Sequence, residues 1–487
     1  MELLSKISIA INLQKLYWSL FFGVCLTISS IALFANENEY TYSYVLIFWL
    51  VFSISIFLYS RKNLFLFEPM VLFSFFYYFI AIACLHMIKT DFVTNIYVQE
   101  TSFNRPIIEL FEKTLMLYLG SYLFVVIGYL IVNRRGQYQP IIFPYKSEVS
   151  HRLIYIVVFL FYSSGLINFI YNVYTLSGGN VVNYMASISV RSYQYADSGG
   201  TALFYNLMYI ACYLWFYCVV SKKTSYFEKI CFVFFVMLSV FIMSSQGRIF
   251  LTLAYCLSFV GIKYGLHYLK FNHVSNLKFF GFGFFVLFLG LLFYVLRAIS
   301  SLNENAMLDA SVFFYVSEFF TVDMLGYYAV DKGNIPNPGV VMKIIDSWEN
   351  DVGYLYGESI VTWVFNVFPS FIRPEHSVPS VIIKDTWYQH IQGGNLPPTG
   401  PGEMLSNFGY YGAFLGMAYF GALCAFMNNL LRKYNNFWFL CIYMLLSLQF
   451  FALYPKVEFE NLRLFLPILL MLTVLLIRKS TKILRRI

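Results

Sequence analysis

Polar residues in this chain collect in short breaks between twelve long apolar runs. A bilayer core takes about 20 apolar residues per helix. Runs of that kind occupy Leu16–Ala35, Tyr42–Ser60, Phe67–Ile88, Thr114–Val132, Leu153–Tyr174 and Ala202–Val220. They continue at Ile230–Met243, Ile249–Leu266, Phe279–Leu296, Phe408–Met427, Phe437–Tyr454 and Leu464–Ile477. Only Ser244-Ser245-Gln246-Gly247-Arg248 separates the seventh run from the eighth. One helix over both would be about 55 Å long, against a hydrocarbon core of about 30 Å, so the pattern predicts two spans turning at Gly247. The expected fold class is an all-α integral membrane protein with about 12 transmembrane helices. Residues 1–15 carry no cleavage-site pattern, so the first run reads as a retained span.

The spacing of the runs divides the chain into three regions. Residues 1–296 hold spans one to nine, 297–407 form a large loop, and 408–487 hold spans ten to twelve with a basic tail. A loop of about 110 residues is too long for a connector. Within it Val312, Phe313, Val316, Phe319, Phe320 and Leu325 recur at helical spacing, which predicts a helix lying in the membrane interface. Val361–Phe368 is too short to span and is closed by Pro369; it either re-enters the membrane or packs on the bundle.

Composition agrees with the spans. Of the 487 residues 59% are hydrophobic and 12% charged, about half the charge of a soluble domain. All eight cysteines fall inside apolar runs, where they serve as small packing residues. Charge sets the orientation. With both termini cytoplasmic, 21 of the 33 basic and 4 of the 25 acidic residues lie inside, a net +17 against −9 outside. The large loop is then extracytoplasmic. The basic balance reflects topology, and no nucleic-acid partner is expected.

Motifs of soluble enzymes are missing: there is no Walker A loop, HExxH, GxSxG or dinucleotide fingerprint. No cofactor and no metal are expected. What remains is arginine at the outer face: Arg191, Arg248, Arg297, Arg373 and Arg463. Arg248 sits at the tip of the tight hairpin, where an unpaired guanidinium is costly. Its planar fork suits the oxygens of a lipid diphosphate. The competing account is snorkelling to head groups or pairing with a carboxylate.

A second constellation, His390 to Gly412, joins the loop to the tenth span. Gly393, Gly394, Gly400, Gly402 and Pro397, Pro398 and Pro401 predict a rigid, non-helical approach open to a ligand. Asn407 follows, and Trp387 stands just before as a sugar-stacking or interfacial aromatic, alongside Trp348 and Trp363. Glu403, at the start of the helix, could take the proton of an attacking sugar hydroxyl. It could equally serve the helix dipole. His390 is the weaker candidate base; it and His376 are too isolated to be metal ligands and read first as surface histidines.

Four stretches together resemble the O-antigen and oligosaccharide repeat-unit polymerase family. They are Gly179…Tyr184…Arg191, the Gly247-Arg248 hairpin, Gly357…Pro369…Arg373-Pro374, and Gly393-Gly394…Gly402-Glu403…Asn407-Phe408-Gly409…Gly412. Where that family often places Arg beside the proline, here Arg373 lies four residues beyond Pro369. The resemblance implies a metal-independent glycosyltransferase of the bacterial inner membrane, with its active site open to the periplasm. Its substrates would be undecaprenyl-diphosphate-linked oligosaccharides, its surroundings membrane lipids, and its partners a polysaccharide chain-length regulator and a flippase. On this reading Arg248, Arg191 and Arg297 hold the leaving diphosphate, and Glu403 or His390 activates the acceptor. The rivals are a ligase that moves finished polymer onto lipid A core, and a flippase or other glycolipid transporter. A metal-dependent transferase using Glu37-Asn38-Glu39 is a third possibility.

Overall fold

An apolar segment crosses lipid as a helix because only then is every backbone N–H and C=O paired within it. The computed structural model describes residues 40–60, 67–93, 95–99, 101–133, 142, 149–181, 184, 199–221, 224–244, 249–271, 338–365, 378–389, 396–452, 454 and 465–484. The first helices are α1 (Thr41–Ser60), α2 (Pro69–Lys89), α3 (Ile107–Val132), α4 (His151–Ser177) and α5 (Gly199–Ser221). Two more follow, α6 (Tyr226–Ser244) and α7 (Ile249–Phe271). Then come three shorter ones, α8 (Pro338–Asp351), α9 (Glu358–Phe365) and α10 (Pro379–Trp387). The last are α11 (Thr399–Lys433), α12 (Phe437–Leu446) continuing through a π-turn over Ser447–Phe451, and α13 (Phe465–Leu484).

Seven helices among the described residues, α1 to α6 and α11, are long and apolar enough to cross a membrane. No strand occurs among those residues. The chain is an all-α, multi-pass membrane protein. The eighth, eleventh and twelfth apolar runs form α7, α12 and α13. The first and ninth runs, the helix expected around Val312–Leu325 and the segment Glu37-Asn38-Glu39 lie outside the described residues. The seventh and eighth runs do form two helices, ending at Ser244 and starting at Ile249.

Helix ends follow their local chemistry. Ser150 caps α4 by accepting from the Leu153 N–H at 3.5 Å, and Asn436 caps α12 by accepting from Phe439 at 2.9 Å. Pro69 opens α2 at a position where its missing N–H costs nothing. Packing then sorts the helices into two cores. One gathers α1, α2, α3, α8 and α11; the other gathers α4, α5, α6, α7, α12 and α13.

In the first core α3 and α11 meet backbone to backbone. A methyl group on Gly128 would stand 1.8 Å from the Ala418 carbonyl oxygen, and one on Gly421 would stand 2.0 Å from that of Val125. Apolar side chains cannot drive helices together in lipid, so this small-residue contact lets dispersion do so. At the end of α11 that carries Arg432 and Lys433, a buried polar chain crosses four elements. Tyr129 donates to Glu68, the N-cap residue of α2. Asn428 donates to the Tyr129 hydroxyl at 3.4 Å and accepts from Tyr443 of α12 at 3.3 Å.

The large loop, where described, is helical and packed. The α8 residues Val340, Val341, Ile344 and Trp348 are buried in the first core. Of the second apolar stretch, residues 361–365 fall in α9, whose Ser359, just before the stretch, is 1% exposed and bonded to α11; the rest of the stretch lies outside the described residues. A helical segment precedes the tenth apolar run: α11 begins at Thr399, so Gly400, Pro401 and Gly402, expected as a non-helical approach, are helical. Proline is tolerated within a first turn, where no N–H is required.

Candidate functional site

The site is built on an interruption of α11. Its first ten residues, 399–408, are buried from Thr399 to Asn407. At Gly409 the backbone turns to φ 69°, ψ −171°, a conformation open essentially only to glycine, and a second helical segment runs on to Lys433. A break of this kind strands carbonyls that the next helical turn would have capped. Trp348 of α8 and the connection from α8 to α9 supply donors. The Ser406 carbonyl accepts from the Leu355 N–H at 3.1 Å and from the Trp348 indole at 3.1 Å. The Asn407 carbonyl accepts from the Tyr356 N–H at 2.9 Å.

Side chains at the break form a second layer of bonds. Asn407 Oδ1 accepts from the Gly357 N–H at 2.9 Å. Its Nδ2 donates to the Glu403 carbonyl and to Ser359 Oγ, both at 2.8 Å. Ser359 Oγ in turn donates to Glu403 Oε1 at 2.8 Å. Three residues before Glu403, the Gly400 carbonyl accepts from the buried Tyr454 hydroxyl at 3.4 Å. Glu403 is 0% exposed. Its Oε1 meets the Ser359 donor, as a buried polar atom requires. The arrangement runs in one direction, from amide to hydroxyl to carboxylate. Charge-assisted bonds of this kind are about twice as strong as neutral ones.

Around this cluster lies a clamp. Lys343 of α8 donates to the Ser102 carbonyl at 2.8 Å and to Ser347 at 3.0 Å, and lies 3.7 Å from Asp346. Its ammonium stands 5.7 Å from the centre of the Phe103 ring and 5.3 Å from that of Trp387. Asp346 Oδ2 accepts from the Asn104 N–H at 2.9 Å. Trp387 donates to Asp351 at 2.8 Å and Tyr388 to the Tyr97 carbonyl at 2.9 Å. Together these bonds hold α8 and α10 over the start of α3. Tyr356 and Tyr411, 82% and 88% exposed, rim the break. Arg105 is exposed beside them, acting electrostatically on Tyr410.

Of the residues expected from sequence, Gly402, Glu403 and Asn407 come together here. Trp387 does not join them; it braces α10 against α8. Glu403 lies inside the protein rather than facing an open zone, because α11 starts a full turn before it. Arg191, Arg248, Arg297, Arg373, Arg463, His390, Gly393 and Gly394 lie outside the described residues. Sequence reasoning missed Ser359 as a partner of Glu403, Tyr454 and Arg105. Arg105 carried a usable signal, since Arg105-Pro106 repeats the Arg373-Pro374 pairing just before an apolar run. Comparison with known proteins finds no matching family model, no similar curated protein and no similar solved structure.

Proposed function

We propose that this chain is a polymerase that joins undecaprenyl-diphosphate-linked oligosaccharide repeats at the periplasmic face of the bacterial inner membrane. One observation supports it above the others. Two of the four stretches that carry the family resemblance, Gly357-Glu358-Ser359 and Gly402-Glu403…Asn407-Phe408-Gly409, interlock through Gly357, Ser359, Glu403 and Asn407. On this reading Glu403 accepts the proton of the acceptor sugar hydroxyl. Arg248, with Arg191 and Arg297, stabilises the diphosphate as it departs, so the leaving oxygen needs no proton. Arg373 and Arg463 add positive charge at the same face. A buried carboxylate must be uncovered to reach a hydroxyl, so this reading requires the Ser359 contact of α9 with Glu403 to open.

Two variants test this. Glu403→Gln and Arg248→Ala should each abolish long-chain polymer while leaving protein in the membrane, as read from polysaccharide ladders and immunoblots. Normal ladders from either variant retire that residue's role. A ligase would consume the same donor, so purified repeat units and purified lipid A core offered as competing acceptors separate the two activities.

The interrupted helix also favours a second reading, a glycolipid transporter. Transporters bind substrate at discontinuous helices whose freed backbone groups line the site. Here the freed carbonyls of Ser406 and Asn407 are already bonded by Trp348, Leu355 and Tyr356. That favours a fixed scaffold over a binding surface. Proteoliposomes that translocate a fluorescent lipid-linked repeat without lengthening it would reverse the preference.

A further inference from the structure

We propose that the ring of Tyr356 is a saccharide platform beside the break in α11, taking a pyranose of the lipid-linked repeat; this rests on the polymerase reading and names a subsite for its substrate. The first observation is the backbone. Tyr356 holds φ 49°, in the left-handed region that a bulky side chain rarely enters. The fold fixes it there with three consecutive amides. The N–H groups of Leu355, Tyr356 and Gly357 donate to the Ser406 carbonyl, the Asn407 carbonyl and the Asn407 side chain, at 3.1, 2.9 and 2.9 Å. The second observation is where the ring goes. It is 82% exposed, although glycine would take that backbone at no steric cost. The unusual conformation thus serves to present the ring outward, not to bury it.

The surroundings select the occupant. Tyr354 stands edge-on to Tyr356, with ring centroids 6.4 Å apart, and its hydroxyl is what a methyl group on Gly409 would meet at 3.3 Å. The two rings therefore lie over the break. Asn407, to which the Tyr356 N–H is bonded, is one helical turn from Glu403, about 5.4 Å along the axis. Beyond the break Tyr411, Leu415 and Tyr419 are exposed at helical spacing, the face that an apolar helix turns to lipid. Tyr356 thus stands where a molecule with a polyprenyl tail and a sugar head passes from one to the other. A tyrosine ring offers an apolar face to the C–H groups of a sugar and a hydroxyl to its polar edge, and a fixed ring loses little freedom on binding. A tyrosine of an interfacial aromatic belt needs no particular backbone, whereas Tyr356 has one imposed on it.

Tyr356→Gly removes the ring and keeps the turn, because glycine accepts this backbone freely. Asparagine tolerates it too, so Tyr356→Asn is the second variant. The probes are the single lipid-linked repeat extracted from cells lacking the protein, and the free oligosaccharide released from it by mild acid. With purified full-length protein, both variants should raise KM for the lipid-linked repeat about tenfold and leave the turnover number little changed. Saturation-transfer NMR should show the sugar C–H protons of the free oligosaccharide in contact with the wild type, and both variants should lose that signal. Tyr356→Phe, which keeps the ring, should retain it. Melting temperatures matching the wild type would show that the variants lose the sugar and not the fold. An unchanged KM with an unchanged sugar signal in Tyr356→Gly would make Tyr356 a belt residue and overturn the proposal. The two readings fail separately. If the wild type binds the oligosaccharide but never lengthens the repeat, the polymerase falls and the platform stands. If it lengthens the repeat and Tyr356→Gly does so with the same KM, the polymerase stands and the platform falls.

Discussion

At the residue scale, the chemistry of the site comes from a few polar side chains placed where water does not reach. Glu403 would be prohibitive in that position without its donors. Ser359 answers it from another part of the chain. A motif search can find Glu403 and Asn407, because they stand four residues apart on one turn. It cannot find Ser359 as their partner across 44 residues of chain, since nothing local encodes that meeting. Gly409 is the residue on which the arrangement turns. Alanine there must hold φ near 69° or restore a continuous helix, and its methyl would stand 3.3 Å from the Tyr354 hydroxyl. Gly409→Ala should therefore cost about 1–3 kcal/mol of stability. Differential scanning fluorimetry in detergent should register the loss, and polymer length should fall with it; a wild-type melting temperature would mean the break is not strained in this way.

At the scale of elements, the long apolar helices among the described residues were readable and their joints were not. Hydropathy marks a span because lipid imposes the same demand on every residue across its thickness. The hairpin of α6 and α7 was legible for that reason, as a single helix would overrun the bilayer. The start of α11 was misplaced because Pro-Pro-Thr-Gly-Pro-Gly reads as loop, yet Pro401 fits a first helical turn and Gly400 fits under Tyr454. Contacts between helices depend on pairings that no single run displays. Gly128 and Gly421 illustrate this, each being an unremarked glycine in an apolar run until the other helix lies across it. Gly128→Leu should separate α3 from α11 and destabilise the fold by about 3 kcal/mol or more. Its expression in membranes and its melting temperature should both fall, and Gly128→Ala should already lower them, since its methyl would stand 1.8 Å from the Ala418 carbonyl oxygen.

On the scale of the whole molecule, charge rather than packing assigns the sides. The division of +17 and −9 predicts that a reporter active only outside the cytoplasm works when fused within residues 297–407. The same reporter fused after Ile487 should be silent, and the reverse pattern would invert the topology. If the orientation holds, Glu403 and the clamp of α8 and α10 lie near the periplasmic side. The Glu68–Tyr129–Asn428–Tyr443 chain then lies near the cytoplasmic side, beside Arg432.

The sequence alone determined that this is a helical protein of the membrane, because apolar run length and charge placement are local quantities that the bilayer reads directly. It also singled out Gly402, Glu403 and Asn407, which share one helix and so carry their spacing in the text. Only the tertiary structure decided that Glu403 is enclosed, that Ser359 bonds it, and that α11 breaks at Gly409. Those facts belong to contacts between distant segments, set by how the helices pack and by which stranded carbonyls find a donor.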